Sequence, residues 1–171
     1  VVIADENARA EFCAADMLAQ AEHDVLAFPV LITTSKSTLT KVESEINKQL
    51  EKLDRNQIAS ESINNNCALI YVEDIETAIE LSNLIAPEHV CLNVKDANKS
   101  ISKIINAGAI FVGDYSAEVM GDYIAGPSHT LPTFGTSRYS SYLGAQQFVK
   151  YMPIIGLDNK TVKELIPTAV I

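Results

Sequence analysis

Apolar positions along the chain fall into short unbroken runs separated by longer periodic segments, a pattern that predicts strands alternating with helices. The short runs, rich in β-branched residues, are the predicted strands: 1-VVIA-4, 29-PVLITT-34, 67-CALIYV-72, 89-HVCLNV-94 and 109-AIFV-112. The third run, 67–72, is continuously apolar, which is typical of a strand buried on both faces of a parallel sheet.

Between these runs, apolar residues recur at steps of three and four, the spacing of an amphipathic helix. The clearest stripe consists of Leu39, Val42, Ile46, Leu50 and Leu53. Further helices are predicted over 7–22, 55–63, 74–86, 96–106 and 159–166, the last ending at Pro167. Asp5 or Asn7 is the predicted N-cap of the first helix, and Asp74 is the predicted N-cap of the helix over 74–86.

The first 112 residues repeat strand then helix about four times, which predicts an α/β fold. We expect a mostly parallel sheet with helices on both faces. From 113 to 144 the periodicity is lost, and five glycines and two prolines appear beside several aromatic residues. We interpret this stretch as a long ordered loop over a site. The predicted division is therefore a core segment 1–144 and a C-terminal segment 145–171.

The charge and the apolar content of the chain exclude several classes of binding partner. A net charge of −9 and a pI near 4.7 argue against nucleic acid or an anionic membrane. No apolar run approaches the roughly 18 residues of a membrane span. The three cysteines lie in apolar contexts, which predicts buried thiols in a reducing cytoplasm.

The three histidines lie in polar clusters: 20-QAEHD-24, 87-PEH-89 and 126-GPSHTLP-132. Gln20 and His23 are three residues apart on a predicted helix, so both side chains lie on one face. Their oxygen and imidazole nitrogen suit zinc or a similar ion. This spacing is also common by chance, so a solvated helix end is the alternative.

Glu88 and His89 are neighbouring groups that can each move a proton near neutral pH. They precede a predicted strand, whereas ligands of α/β sheets usually bind where strands end, so topology does not favour them. Asp122 and His129 lie in a segment stiffened by glycines and prolines, which suits a metal ligand and a substrate contact. A surface pair and a purely structural loop are the respective alternatives.

Taken together, these clusters resemble the histidinol dehydrogenase family. The matching segments, in the family's order and spacing, are 3–24, 83–92, 107–138 and 140–144. The resemblance implies an incomplete Rossmann-like fold. It also implies an NAD-dependent, two-step oxidation of L-histidinol to L-histidine through L-histidinal, with one zinc per site, in a cytoplasmic homodimer.

By the same resemblance, Gln20, His23 and Asp122 match zinc ligands, and Glu88 and His89 match the catalytic acid–base residues. The substrate contacts it implies are Gln20, His23, His89, Asp122 and His129. The family's chain is longer, so we expect a fragment without most of the NAD-binding domain. We also expect it to lack the fourth zinc ligand, a histidine that reaches the neighbouring subunit's site. By itself the fragment is expected to be inactive and to bind zinc weakly.

Two other functions fit the same residues. One is a stand-alone metal-dependent hydrolase, in which zinc on Gln20, His23 and Asp122 activates water for Glu88. The other is a non-catalytic domain that keeps the fold and mediates assembly.

Overall fold

A five-stranded sheet, with every strand parallel to its neighbours, forms the centre of the protein in the computed structural model, which describes residues 1–169. The strands are β1 (Val2–Ala4), β2 (Val30–Thr33), β3 (Ala68–Tyr71), β4 (His89–Asn93) and β5 (Ala109–Val112). Their order is β3-β2-β1-β4-β5, so the chain winds outward from β1 in both directions. The predicted α/β class and parallel sheet are confirmed.

Helices cover both faces of this sheet. They are α1 (Ala10–Ala21), α2 (Lys36–Leu50), α3 (Asn56–Asn66), α4 (Ile75–Ile85), α5 (Glu118–Tyr123) and α6 (Asn159–Ala169). Short 3-10 turns lie at Ala97–Lys99, Ile101–Lys103, Thr136–Arg138 and Ala145–Phe148. Within residues 1–169, no helix has the length and apolar character needed to cross a membrane.

Alternating side chains of the strands build two apolar layers. Val2 and Ala4 of β1 pack with α1 and α2, whereas Ile3 points to the opposite layer with α4. On β4, Cys91 belongs to the α1 layer, and its neighbours Val90 and Leu92 belong to the α4 layer. The two-residue period of a strand therefore places His89 and Asn93 on the α1 side with Cys91.

The prediction that 67–72 is buried on both faces is wrong. β3 lies at the edge of the sheet, its residues are half-buried, and Tyr71 is exposed. The ammonium of Lys36 lies 5.0 Å from the centre of the Tyr71 ring and covers part of it. A continuous apolar run thus does not distinguish a central strand from an edge strand that is covered by neighbouring helices.

The first helix begins later than predicted. α1 starts at Ala10, and neither Asp5 nor Asn7 is its N-cap, because Arg9 holds that position without a side-chain hydrogen bond. Asp5 instead accepts hydrogen bonds from the backbone N–H of Asn7, at 2.8 Å, and of Lys95, at 2.6 Å. The Asp5 carboxylate is occupied by these two hydrogen bonds, which connect the segments that follow β1 and β4, so it is not available to cap α1.

Two other helix predictions need correction. The segment 96–106 forms two 3-10 turns rather than one helix, and Asp96 before them has a left-handed conformation. The final helix continues through Pro167 to Ala169 instead of ending at Pro167. Of the predicted C-terminal segment 145–171, residues 170 and 171 lie outside the described part of the chain. The Asp74 cap is confirmed, since its carboxylate accepts from Thr77 N–H at 2.7 Å.

The N-cap of α2 provides a test of this local structure. Ser35 Oγ accepts a hydrogen bond from Thr38 N–H at 3.1 Å. We expect Ser35→Ala to lower the free energy of unfolding by about 1 kcal/mol, because one N–H of the first turn loses its acceptor. Urea denaturation measures this. Ser44→Ala, an exposed position inside the same helix, is the matched control and should be neutral or slightly stabilising. Equal losses in both variants would contradict the capping role.

Candidate active site

The candidate site lies at the edge of the sheet where the strands begin. His89 is the first residue of β4, and Glu88 directly precedes it. α1 runs back from the end of β1 toward the start of β2, so Gln20 and His23 reach the same edge at its C-terminal end. Most ligands of doubly wound sheets bind at the opposite edge. The structure nevertheless places Gln20, His23, Glu88, His89 and Asp122 near one another at this edge, and His129 apart from them.

His89 is buried between two carboxyl groups. Its Nδ1 lies 3.8 Å from Glu118 Oε1, and its Nε2 lies 3.9 Å from Asp122 Oδ1. Within residues 1–169, neither ring nitrogen has a hydrogen-bond partner. Burial lowers the pKa of His89 to about 4, although the nearby Asp122 carboxylate opposes that shift. The imidazole is therefore neutral at pH 7 and has a free lone pair, as a general base requires.

The short helix α5 carries both carboxyl groups. Glu118 and Asp122 are four residues apart, so they lie on one helical face. Gly121 permits close packing on β5: a Cβ atom there would lie 2.6 Å from Cε1 of Phe111. The Phe111 ring is in turn 5.8 Å from the His89 ring. This close approach of α5 to β5 brings its carboxyl groups within reach of His89.

Glu118 is a functional candidate that the sequence did not indicate. Its side chain is 3% exposed, and one carboxyl oxygen accepts a hydrogen bond from the Gln20 amide. Burial raises the pKa of Glu118 to about 8, and the carboxyl groups of Asp16, Asp122 and Glu88 act in the same direction. At pH 7 this carboxyl group is therefore mostly protonated.

Asp16 is the second residue that sequence reasoning missed. It is buried on α1, and its carboxylate accepts a hydrogen bond from the backbone N–H of Glu118 at 3.3 Å. Burial raises the pKa of Asp16 as well. The available signal was spacing: Asp16 precedes Gln20 by four residues, and Glu118 precedes Asp122 by four. In both helices an acidic residue lies one turn before a predicted ligand.

Glu88 lies beside the same group of side chains. It is half-buried, and burial raises its pKa, with Asp122 adding to the rise and His23 opposing it. Its backbone carbonyl accepts from Ala109 N–H at 2.9 Å. A Cβ at Gly108 would lie 2.6 Å from that carbonyl oxygen, so a glycine is required where β5 passes Glu88. Glu88 is thus held by its backbone near two predicted zinc ligands.

His129 is separated from this buried group. It is exposed, and it lines an open cavity of about 600 Å³ together with Asp122, Phe111 and Tyr142. The cavity connects His129 with Asp122, but no hydrogen bond or ion pair joins His129 to the other predicted site residues within residues 1–169. The predicted role of His129 as a substrate contact therefore depends on a molecule that occupies the cavity.

Three predicted zinc ligands reach this edge with suitable donor atoms. The amide nitrogen of Gln20 is engaged with Glu118, which leaves the amide oxygen for a cation. The imidazole of His23 and the half-exposed carboxylate of Asp122 both influence Glu88. Across residues 1–169, no three His, Cys, Asp or Glu side chains cluster as a metal site. The predicted set contains only two such residues: the imidazole nitrogen of His23 and the carboxylate of Asp122 are donors that zinc takes in proteins, and the amide oxygen of Gln20 is the third donor of the set.

Comparison with known proteins identifies the family. The sequence model described as histidinol dehydrogenase matches residues 1–171. The chain belongs to the histidinol dehydrogenase family. The histidinol dehydrogenase of Dehalococcoides mccartyi strain CBDB1 is 45% identical over 165 residues. That of Bacillus anthracis is 50% identical over 165 residues. Each alignment covers 96% of this chain and 38% of the relative.

A solved structure of the family has the same fold. The crystal structure of histidinol dehydrogenase from Elizabethkingia anophelis matches 98% of this chain with a TM-score of 0.88 and 36% sequence identity. The match covers 38% of that protein. The chain therefore spans a little over a third of the length of these histidinol dehydrogenases, and the resemblance noted from its motifs is confirmed.

The buried pair Glu118 and His89 predicts how stability depends on pH. Burial raises the pKa of Glu118 in the folded chain to about 8. Its contribution to the free energy of unfolding is therefore fully present below about pH 4.5 and is lost as the pH rises toward 8. Burial lowers the pKa of His89 in the folded chain to about 4. Its contribution to the free energy of unfolding is therefore present above about pH 6.5 and is lost as the pH falls toward 4.

We therefore expect Glu118→Gln to unfold at a higher temperature than the native chain at pH 8, and the difference to shrink toward pH 5. Thermal unfolding monitored by circular dichroism, with a chelator present, measures this. Glu80→Gln makes the same substitution at an exposed position of α4. Its unfolding temperature should differ from that of the native chain by an amount that does not change with pH. A Glu118→Gln difference that is constant with pH would show that Glu118 has an ordinary pKa.

Proposed function

We propose that this chain supplies the zinc-binding and acid–base part of an enzyme that oxidises L-histidinol to L-histidine through L-histidinal, with two NAD⁺ in succession. The observation that supports this most directly is the convergence of Gln20, Glu88, His89 and Asp122 at one edge of the sheet, in a chain of the histidinol dehydrogenase family. These residues come from three separate segments, and the family's chemistry gives each of them a role.

Gln20, His23 and Asp122 would hold the zinc ion. Bound zinc would supply a positive centre that anchors the amino group and imidazole of histidinol and so orients the reacting carbon. The same three residues then also lie against the substrate, together with His89. His129 adds a contact from the cavity it shares with Asp122. The cavity volume, about 600 Å³, is within the range of small-molecule sites.

His89 is the proposed base of both oxidation steps. In the first, a ring nitrogen takes the hydroxyl proton of histidinol while the carbon bearing that hydroxyl gives its hydride to NAD⁺. Its low pKa keeps the imidazole unprotonated and ready at neutral pH. Asp122, 3.9 Å from Nε2, stabilises the imidazolium that forms.

Glu88 is the proposed base for water in the second step. Addition of water to the aldehyde of L-histidinal requires a group that removes a proton from water, and burial makes the Glu88 carboxylate more basic than usual. The aldehyde oxygen takes the proton that His89 gained in the first step, which completes the hydrate and restores the neutral imidazole. The hydrate gives its hydride to the second NAD⁺ while His89 takes a hydroxyl proton, and the carboxylic acid that forms releases its own proton to solvent. The product is the carboxylate of L-histidine.

The remaining expectations concern the assembled protein. We propose a cytoplasmic homodimer, organised as a core segment 1–144 and a C-terminal segment 145–171. Support comes from the exposed apolar side chains of Phe148, Ile154 and Ile155, which need a covering surface. Because the chain covers 38% of its relatives, we expect no turnover from the chain alone.

The proposed function is tested in a chimera. Residues 1–169 replace the matching segment of the Bacillus anthracis histidinol dehydrogenase, and NADH formation with histidinol is followed by absorbance. We expect histidinol-dependent turnover from the chimera and none from the chain alone. A folded, zinc-loaded chimera without turnover would contradict the assignment, since the rest of the enzyme is then supplied by an active relative.

His89→Asn in this chimera tests the base. We expect turnover to fall by about 10²- to 10⁴-fold, the usual contribution of a general base, while the zinc content stays unchanged. Glu80→Gln in the same chimera is the control and should keep full turnover. If His89→Asn turns over at the parent rate, His89 is not the base.

Zinc binding by the chain tests the ligand set. By calorimetry, His23→Ala and Asp122→Asn should each weaken zinc binding by more than the roughly 10–100-fold typical of losing an outer-shell partner. Asp54→Asn, an exposed position away from the site, should bind zinc as the native chain does. If the His23 and Asp122 variants bind zinc with unchanged affinity, the zinc site is not at this edge of the sheet.

A further inference from the structure

Glu118 connects two side chains that the proposed function uses. Its Oε1 accepts a hydrogen bond from Gln20 Nε2, and the same oxygen faces His89 Nδ1 at 3.8 Å. Its other oxygen, Oε2, faces Cys91 Sγ at 4.0 Å. One carboxyl group therefore lies against α1 through Gln20 and against β4 through His89 and Cys91.

The backbone of Glu118 is held in place by a hydrogen bond to α1. The backbone N–H of Glu118 donates to the buried carboxylate of Asp16, so the first turn of α5 is tied to the middle of α1. The Glu118 side chain is 3% exposed, so it is enclosed where these helices pack together. A group held this firmly can determine the orientation of the side chains it touches.

We propose that Glu118 is a positioning residue: its Oε1 keeps the proton of the neutral His89 ring on Nδ1 and holds the Gln20 amide, so that Nε2 of His89 and the amide oxygen of Gln20 face the substrate. The functional meaning rests on the proposed function, whereas the tautomer of His89 can be measured independently of it.

The tautomer matters because a neutral imidazole acts as a base only through the nitrogen without a proton. Two acceptors compete for the proton of His89: Glu118 Oε1 beside Nδ1 and Asp122 Oδ1 beside Nε2. Gln20 Nε2 donates to Glu118 Oε1, so this oxygen carries no proton and remains an acceptor whether the carboxyl group is ionised or neutral. Asp122 is 36% exposed, so water competes for its oxygens, whereas Glu118 acts in a dry environment where hydrogen bonds are stronger. The separation of 3.8 Å exceeds a hydrogen bond, so the two side chains must approach each other by about 0.6 Å or more for Nδ1–H to donate to Oε1.

Nitrogen-15 NMR of the zinc-free chain tests this proposal at pH 7.5, which lies above the ordinary pKa of an imidazole. The chain contains three histidines, so a His89→Asn spectrum assigns the His89 signals by difference. We expect Nδ1 of native His89 to have the chemical shift of a protonated nitrogen and Nε2 that of a nitrogen with a free lone pair. Glu80→Gln should leave both signals unchanged.

Two substitutions separate positioning from simple packing. Glu118→Gln keeps an acceptor oxygen of the same reach, and because Gln20 donates to that atom, the introduced amide oxygen takes its place. This variant should retain the Nδ1–H form. Glu118→Leu fills the same space without an acceptor and should make the Nε2–H form predominant, while the unfolding temperature and backbone spectrum show that the fold persists.

A native His89 with its proton on Nε2 would overturn the proposal, as would a folded Glu118→Leu variant that retains the Nδ1–H form. If Glu118→Leu does not fold, the native and Glu118→Gln spectra decide: Nδ1–H in both supports positioning, and Nε2–H in either overturns it. None of these outcomes depends on histidinol turnover. A failure of the proposed function, seen as full activity of His89→Asn in the chimera, is therefore recognised separately.

Discussion

The packing of α5 against α1 and β4 is the constraint on which the candidate site depends. α5 is a short helix in a stretch without regular periodicity, yet its two carboxyl groups meet residues from two distant segments. Glu118 accepts from Gln20 on α1, and Asp122 lies beside His89 on β4. Gly121 lets the helix approach Phe111 closely enough for both contacts. Without this packing, the predicted acid–base pair and the predicted metal ligands would lie apart from one another.

Burial at this junction has opposite effects on its two central groups. Removal from water disfavours the charged form of each, so the pKa of His89 falls to about 4 and that of Glu118 rises to about 8. Both groups are therefore mostly neutral near pH 7. Asp122 lies on the open side of His89, and its side chain is 36% exposed. This junction thus combines a dry interior around His89 with a partly solvated carboxyl group at its edge.

Much of the fold follows from local patterns. The strand at 109–112 has the predicted bounds, and Asp74 caps α4 as its position before an apolar stripe indicated. The failures have local causes as well. Asp5 forms a turn instead of capping α1, and 96–106 coils as 3-10 turns after a left-handed Asp96. Central and edge strands have similar apolar runs, so the place of β3 could not be deduced from its composition.

The sequence by itself determined the α/β class, the family and the identity of six candidate site residues, because periodicity and motifs are properties of neighbouring positions in the chain. Only the tertiary structure decided that five of these residues meet where the strands begin, that His129 stands apart across a cavity, and that Glu118 and Asp16 lie buried beside the five. Those facts depend on which side chains face each other across the contacts of α1, β4 and α5. The four-residue spacing of Asp16 from Gln20 and of Glu118 from Asp122 is visible along the chain, but burial and charge act through contacts that this spacing does not specify.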